Sequence, residues 1–249
     1  MMSAFKRFMI DLAADRFNLR VKKIRGNWGR YTEIYNRCKS NTMLGGDGYR
    51  SNLQIVDTCQ GIEGDVVECG VWKGGMSAGM ALLLGPGRKH YLFDSFEGLP
   101  EPGELDGEYA VEWQNSGDAE LTYNNCTADQ ADADAIMKTT GVEYTLVKGW
   151  FQDTVPNFEG IEKIAVLRLD GDWYDSTMIT LEKFEPLVVP GGVIILDDYY
   201  YWEGCSKAVH DYFSKTKSTA RLVSGDGFMY FRKQAPGASS GARTLESAF

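Results

Sequence analysis

The sequence predicts an α/β protein: a mostly parallel sheet with helices on both faces and an antiparallel pair at one edge. Three observations predict it. Short apolar runs alternate with helical patterns from about residue 64 to 217. Several of those runs end in an acid or a glycine, as strands do where their carboxyl ends meet a ligand. The last two runs, "ARLVS" and "GFMYFRK", flank "GDG", which reads as a hairpin turn.

The elements follow in order. Helical patterns cover roughly 1–40 and 50–60; Phe5, Phe8, Met9 and Leu12 fall at helical spacing, and Asp11, Asp15 and Arg16 break any signal-peptide core. "GDVVECGV" (64–71) reads as a strand because valines dominate it, and "GGMSAGMALLLG" (74–85) as the helix that follows. "KHYLFDSF" (89–96) is the next strand; 97–125 is rich in Gly, Pro and acids and reads as a long polar loop. A helix over 127–140 precedes strands over 142–149 and 163–170. A helix over 176–188 is expected to stop at Pro190, Gly191 and Gly192, which turn the chain into "VIILDD" (193–198). A helix over 204–217 and the strands over 220–224 and 227–233 complete the domain. The expected division is a helical extension over 1–60, a main α/β domain over 61–233 and a disordered tail over 234–249.

A net charge of -9 makes phosphate backbones and anionic lipid poor partners, so neither nucleic acid nor membrane is expected. Five cysteines without a CxxC read as reduced thiols rather than a zinc or disulfide framework, which suits the cytoplasm. The amphipathic first helix and the aromatic residues Trp173, Tyr174, Tyr199, Tyr200, Tyr201 and Trp202 predict a homodimer or higher oligomer. For the aromatics, core packing and stacking against a sugar or ring are both open readings.

The rim acids carry the chemistry. Glu68, beside the glycine loop of Gly70, Gly74 and Gly75, would repel a pyrophosphate; it either faces a ligand with a cationic amine or caps the turn. Asp94, ending the second strand, is placed to accept hydrogen bonds from ribose hydroxyls. "IAVLRLDGDWYDS" and "GGVIILDDYYYW" each run from an apolar strand into paired acids: Asp170 with Asp172, Asp197 with Asp198. Carboxylates so close repel unless a proton or cation intervenes, and all-oxygen ligation favours Mg²⁺, Mn²⁺ or Ca²⁺.

"GDVVECGVWKGG", "LFDSFEGLP", "VKGWFQDTVP", "LRLDGDWYDST", "PGGVIILDDYY" and "CSKAVHDYF", in this order, resemble the macrocin O-methyltransferase family over roughly 40–233. The resemblance implies the class I methyltransferase fold, S-adenosylmethionine as cofactor, a divalent metal (Mg²⁺ or Mn²⁺), and a hydroxylated small-molecule acceptor such as a deoxysugar of a glycosylated natural product. It places Glu68 and Gly70 beside the methionine part, Asp94 at the ribose with Ser95 close by, Thr42 and Met43 over the cofactor, and Gly149, Trp150 and Phe151 near the adenine. It makes Asp170, Asp197 and Asp198 the metal ligands. Asp172 is either a further acid behind them or a cap near Ser176. Catechol-type methyltransferases place a lysine where this chain has Trp173, so Asp170, ligand and cofactor neighbour, is also the candidate base. The alternative is a glycosyltransferase that uses "DGD" to hold a metal and a sugar nucleotide.

Overall fold

The structure, a computed structural model, describes residues 27–235; the first amphipathic helix and the end of the tail lie outside them. Five apolar segments pair as parallel strands: β1 (Asp65–Cys69), β2 (His90–Asp94), β3 (Tyr144–Lys148), β4 (Ile164–Leu169) and β5 (Val188–Leu196). The short β6 (Val223–Ser224) and β7 (Met229–Arg232) add the expected hairpin, and β7 pairs antiparallel with β5. The strand order is β3-β2-β1-β4-β5-β7-β6. The chain reverses direction across the sheet between β1 and β4, so the cleft for a ligand opens at their carboxyl ends.

Helices cover both faces: α1 (Trp28–Cys38), α2 (Gly46–Asp57), α3 (Gly75–Leu84), α4 (Gly107–Gln114), α5 (Gln130–Lys138), the single turn α6 (Phe151–Thr154), α7 (Tyr174–Phe184) and α8 (Glu203–Thr216). Period-two alternation divides the strand side chains between two cores. Val66, Leu92, Val166 and Ile195 pack under α1, α2, α3 and α5. Val67, Phe93, Leu167 and Ile194 pack under α7 and α8, where Phe93 meets Phe184 with ring centres 5.1 Å apart. Each such fully buried side chain stabilises the fold by roughly 1.5–3 kcal/mol relative to exposure. None of the helices among the described residues is long and apolar enough to cross a membrane. All five cysteines are free thiols.

Three expectations need correction. The 97–125 segment is not only loop: it holds α4, whose "GEYAVEWQ" repeats its apolar residues too briefly to announce a helix. The helix expected to reach 188 ends at Phe184, followed by a tight turn over Glu185–Leu187 with Pro186. Pro190, Gly191 and Gly192 do not precede β5; they lie within it, at an irregularity in the β4–β5 register where Gly191 takes φ 88°.

His90 is fully buried at the start of β2, with neither ring nitrogen hydrogen-bonded. Burial, with a smaller contribution from the Arg88 charge, holds its pKa down to about 3. The fold therefore keeps His90 neutral while the unfolded chain protonates it below about 6.5. Its contribution is present above that pH and is lost as pH falls from about 6.5 towards 3. In urea melts compared at pH 7 and pH 5, the parent protein loses more stability on acidification than His90→Leu does.

Candidate active site

The site begins with a pairing that strand alternation makes unavoidable. Glu68 on β1 and Arg168 on β4 are register partners and share one face of the sheet, each only 1% exposed. Arg168 Nη1 donates to Glu68 Oε1 at 2.8 Å and to Asp170 Oδ2 at 2.6 Å, and Nη2 lies 2.8 Å from Asp197 Oδ1. One guanidinium thus joins acids from the ends of three strands. Burial alone would lower the Arg168 pKa, but Asp170, Asp197 and Glu68 hold it well above its ordinary value. Ser77 on α3 takes the other oxygen of Glu68, so both Glu68 oxygens have protein partners. Burial still pushes the Glu68 pKa up to about 7. Glu68 nevertheless borders the pocket described next.

A pocket of about 370 Å³ opens over this network at the carboxyl ends of the strands. It brings together nearly every residue the sequence singled out: Thr42, Met43, Glu68, Gly70, Asp94, Ser95, Trp150, Phe151, Asp170, Asp197 and Asp198 all border it. Gly149 does not; it sits behind, at φ 144°, with its N–H on the Asp94 carbonyl. Arg168 and Asp172 border it too.

Asp170, Asp197 and Asp198 each present an oxygen within 4.8 Å of the others. Arg168 occupies one oxygen of Asp170 and one of Asp197, and the Asp172 N–H occupies one of Asp198 at 3.0 Å. Among the described residues the second oxygen of each acid accepts no hydrogen bond, so each of the three acids has an oxygen to offer. Burial and then the charges of Asp172, Asp170 and Asp197 raise the Asp198 pKa well above the carboxylate range. A hard divalent cation, with oxygen ligands at about 2.0–2.6 Å, fits this donor set.

Asp172 is not a helix cap. Trp173 is the N-cap of α7, and Asp172 lies before it with φ 59°. Its Oδ1 accepts from Trp202 Nε1 at 2.6 Å, and its Oδ2 has no protein partner among the described residues. Burial, followed by the Asp170 charge, pushes its carboxyl up to about 7.

The 97–125 segment closes one side of the pocket and is pinned to the same turn. Asp106 is buried and accepts the Tyr174 N–H at 2.6 Å and the Gly103 N–H at 2.7 Å. Trp173 Nε1 donates to the Pro100 carbonyl at 2.9 Å. Residues 123–126 all have positive φ, forming a left-handed turn that carries Tyr123 and Cys126 to the pocket wall.

At the other end, Asp94 accepts the N–H groups of Val71, Trp72 and Phe96 at 2.6, 2.8 and 2.6 Å. It organises the glycine loop while keeping an edge on the pocket. Gly70 is required there: at φ 89°, a Cβ would strike the Asp170 carbonyl. Asn41 donates to the Lys73 carbonyl at 3.1 Å, which lays Thr42 and Met43 over the loop.

The structure of the O-methyltransferase NovP aligns with a TM-score of 0.66 and 30% identity, over 78% of this chain and 83% of that one. Sheet order, glycine loop and acid rim define a class I S-adenosylmethionine-dependent O-methyltransferase. Two characterised proteins are similar in sequence. The tetracenomycin-C rhamnoside 4'-O-methyltransferase of Streptomyces olivaceus is 35% identical, covering 79% of this chain and 76% of its own. The demethyldecarbamoylnovobiocin O-methyltransferase of Streptomyces niveus is 34% identical, covering 76% and 74%. A sequence model of the macrocin O-methyltransferase (TylF) family matches residues 6–233, and the chain belongs to that family. The glycosyltransferase alternative gains no support from any of these.

Arg168 is the residue the sequence reading missed. Its signal was a lone cation inside an apolar strand, at the position that meets Glu68 once β1 and β4 are neighbours. Arg168→Met strands three carboxylates and lowers stability by about 3–5 kcal/mol, measured as a shift in urea unfolding. Lys163→Met, which breaks an exposed pair with Glu63, serves as control and costs under about 1 kcal/mol.

Proposed function

We propose that this protein moves the methyl group of S-adenosylmethionine to a sugar hydroxyl of a glycosylated natural product, with a divalent cation at Asp170, Asp197 and Asp198. The convergence of three carboxylates on one point, beside a glycine loop, carries the reading. The acceptor class is supported by the relatives, whose names describe rhamnosylated and novobiocin-type substrates. Bound there, the cation would act as a Lewis acid on the acceptor hydroxyl and lower its pKa.

The chain's own residues supply the rest. Asp94, Ser95 and Gly70 hold the ribose and methionine parts, Thr42 and Met43 cover the cofactor, and Trp150 and Phe151 flank the adenine, with Gly149 shaping the wall behind. Arg168 keeps Glu68, Asp170 and Asp197 at fixed spacing. Asp170 was the candidate base on sequence grounds. With one oxygen on Arg168 and the other assigned to the cation, both Asp170 oxygens are engaged, whereas Asp172 borders the same pocket and its Oδ2 has no protein partner among the described residues. Asp172 is therefore the acceptor of the hydroxyl proton. Bound S-adenosylmethionine would give its sulfonium methyl to the oxygen so freed and leave as S-adenosylhomocysteine, and orientation between the two ends of the pocket would supply much of the acceleration.

Transfer of labelled methyl from the cofactor is measured against a panel of glycosides and their aglycones. Label reaches glycosides only, is abolished by EDTA, and returns with Mg²⁺ or Mn²⁺; full activity in excess chelator rules out the cation. Asp198→Asn lowers turnover by about 10²-fold or more while calorimetric affinity for S-adenosylhomocysteine stays within about twofold. Asp94→Ala does the opposite to affinity, weakening it by about 1–3 kcal/mol. Asp172→Asn removes the proton acceptor and costs about 10²–10⁴ in turnover.

A further inference from the structure

Trp202 is 9% exposed and its N–H points at polar surroundings rather than into the aromatic cluster around it. The indole lies 5.0 Å from Trp173, 5.3 Å from Trp113 and 5.5 Å from Tyr109, measured between ring centres. Trp113 and Tyr109 belong to α4, within the segment that closes the pocket, and Trp173 is tied to Pro100 of the same segment. The ring is thus clamped on three sides. Its one donor, Nε1, reaches Asp172 Oδ1 at 2.6 Å.

We propose that Trp202 is a positioning residue for the methyl-transfer reaction: it fixes the Asp172 carboxylate so that Oδ2 alone faces the acceptor, and the 97–125 segment holds it in place. The proposal rests on Asp172 being the base. An aspartate side chain rotates about two bonds, and Asp172 sits on a turn at φ 59° with only its backbone N–H held, by Asp198. Without the indole, nothing else described in the structure holds the carboxylate itself. Indole suits the task chemically. It donates one hydrogen bond and accepts none, so it cannot compete for the acceptor's proton. It also carries no charge, so it neither repels a cation nor pairs with the neighbouring acids, as lysine or arginine in its place would.

The experiment compares the parent, Trp202→Phe, Asp172→Asn and the double variant, with demethyldecarbamoylnovobiocin as the acceptor probe. Trp202→Phe keeps a stacked ring and loses the N–H. It is expected to lower kcat by about 10–100-fold with the cofactor KM and S-adenosylhomocysteine affinity unchanged. In the Asp172→Asn background the same substitution is expected to cost less than about twofold. Replacing Trp202 by β-(3-benzothienyl)alanine, which has the ring shape without the N–H, guards against a folding defect and should reproduce the loss. Crystals of parent and variant with S-adenosylhomocysteine give a readout that needs no acceptor: one Asp172 orientation in the parent, a rotated or split one in the variant. Full turnover by Asp172→Asn defeats the base assignment and the proposal with it. If Asp172→Asn keeps only the expected reduced turnover, three results overturn the proposal while the base stands. These are parent-like kcat in the benzothienyl variant, equal losses in both backgrounds, or an unmoved Asp172 carboxylate.

Discussion

The site depends on one buried guanidinium. Arg168 sits at the centre of the sheet, where β1 and β4 meet, and draws Glu68, Asp170 and Asp197 towards it. Burying carboxylates is costly unless a cation answers them, and the planar fork of arginine can reach several at once. Lysine, a single point charge, could not span acids from three strand ends. The arrangement also divides Asp170 and Asp197: one oxygen of each serves the protein, and the other has no protein partner among the described residues. Rigid placement of the reactive oxygens therefore follows from satisfying the charges that the fold has buried.

The two ends of the pocket use their acids differently. Asp94 turns one oxygen to the backbone of the glycine loop and the other to the Phe96 N–H after its own strand, so its first task is to shape the two turns. Glu68 is closed off by Arg168 and Ser77 and acts from beneath the surface. At the far end Asp170, Asp197, Asp198 and Asp172 all border the cavity, and each keeps an oxygen without a protein partner among the described residues. A pocket with a closed, structured floor at one end and open carboxylates at the other suits a ligand held firmly beside one whose oxygen must react.

Much of this could be read from the chain because the strands are apolar runs that stop abruptly at acids, and a parallel sheet gathers such stops on one rim. Asp94, Asp170, Asp197 and Asp198 were found in that way. Arg168 was not, because its meaning lies in a cross-strand neighbour a hundred positions away and a single charge in "IAVLRLD" carries no local pattern. The sequence leaves Asp172 between two roles, because its left-handed backbone is imposed by the turn around it. The glycines of Pro190–Gly192 suggested a break, whereas the sheet absorbs them as an irregularity in β5. The short α4 was hidden among the polar residues of 97–125, since its helicity is supported by packing on Trp173 and Trp202 rather than by its own sequence.

The fastening of that segment has a consequence for how such enzymes diversify. Asp106 holds the first turn of α7 and Pro100 holds Trp173, so the covering segment meets the reactive turn at two fixed studs. Beyond those studs Tyr109 and Trp113 are kept by their packing on Trp202, whereas the chain over 115–121 can vary in composition without disturbing the acids beneath. A chimera that exchanges this stretch between relatives should respect the studs as its seams. Substrate range then becomes a modular property of the cover, while the chemistry stays with the strands.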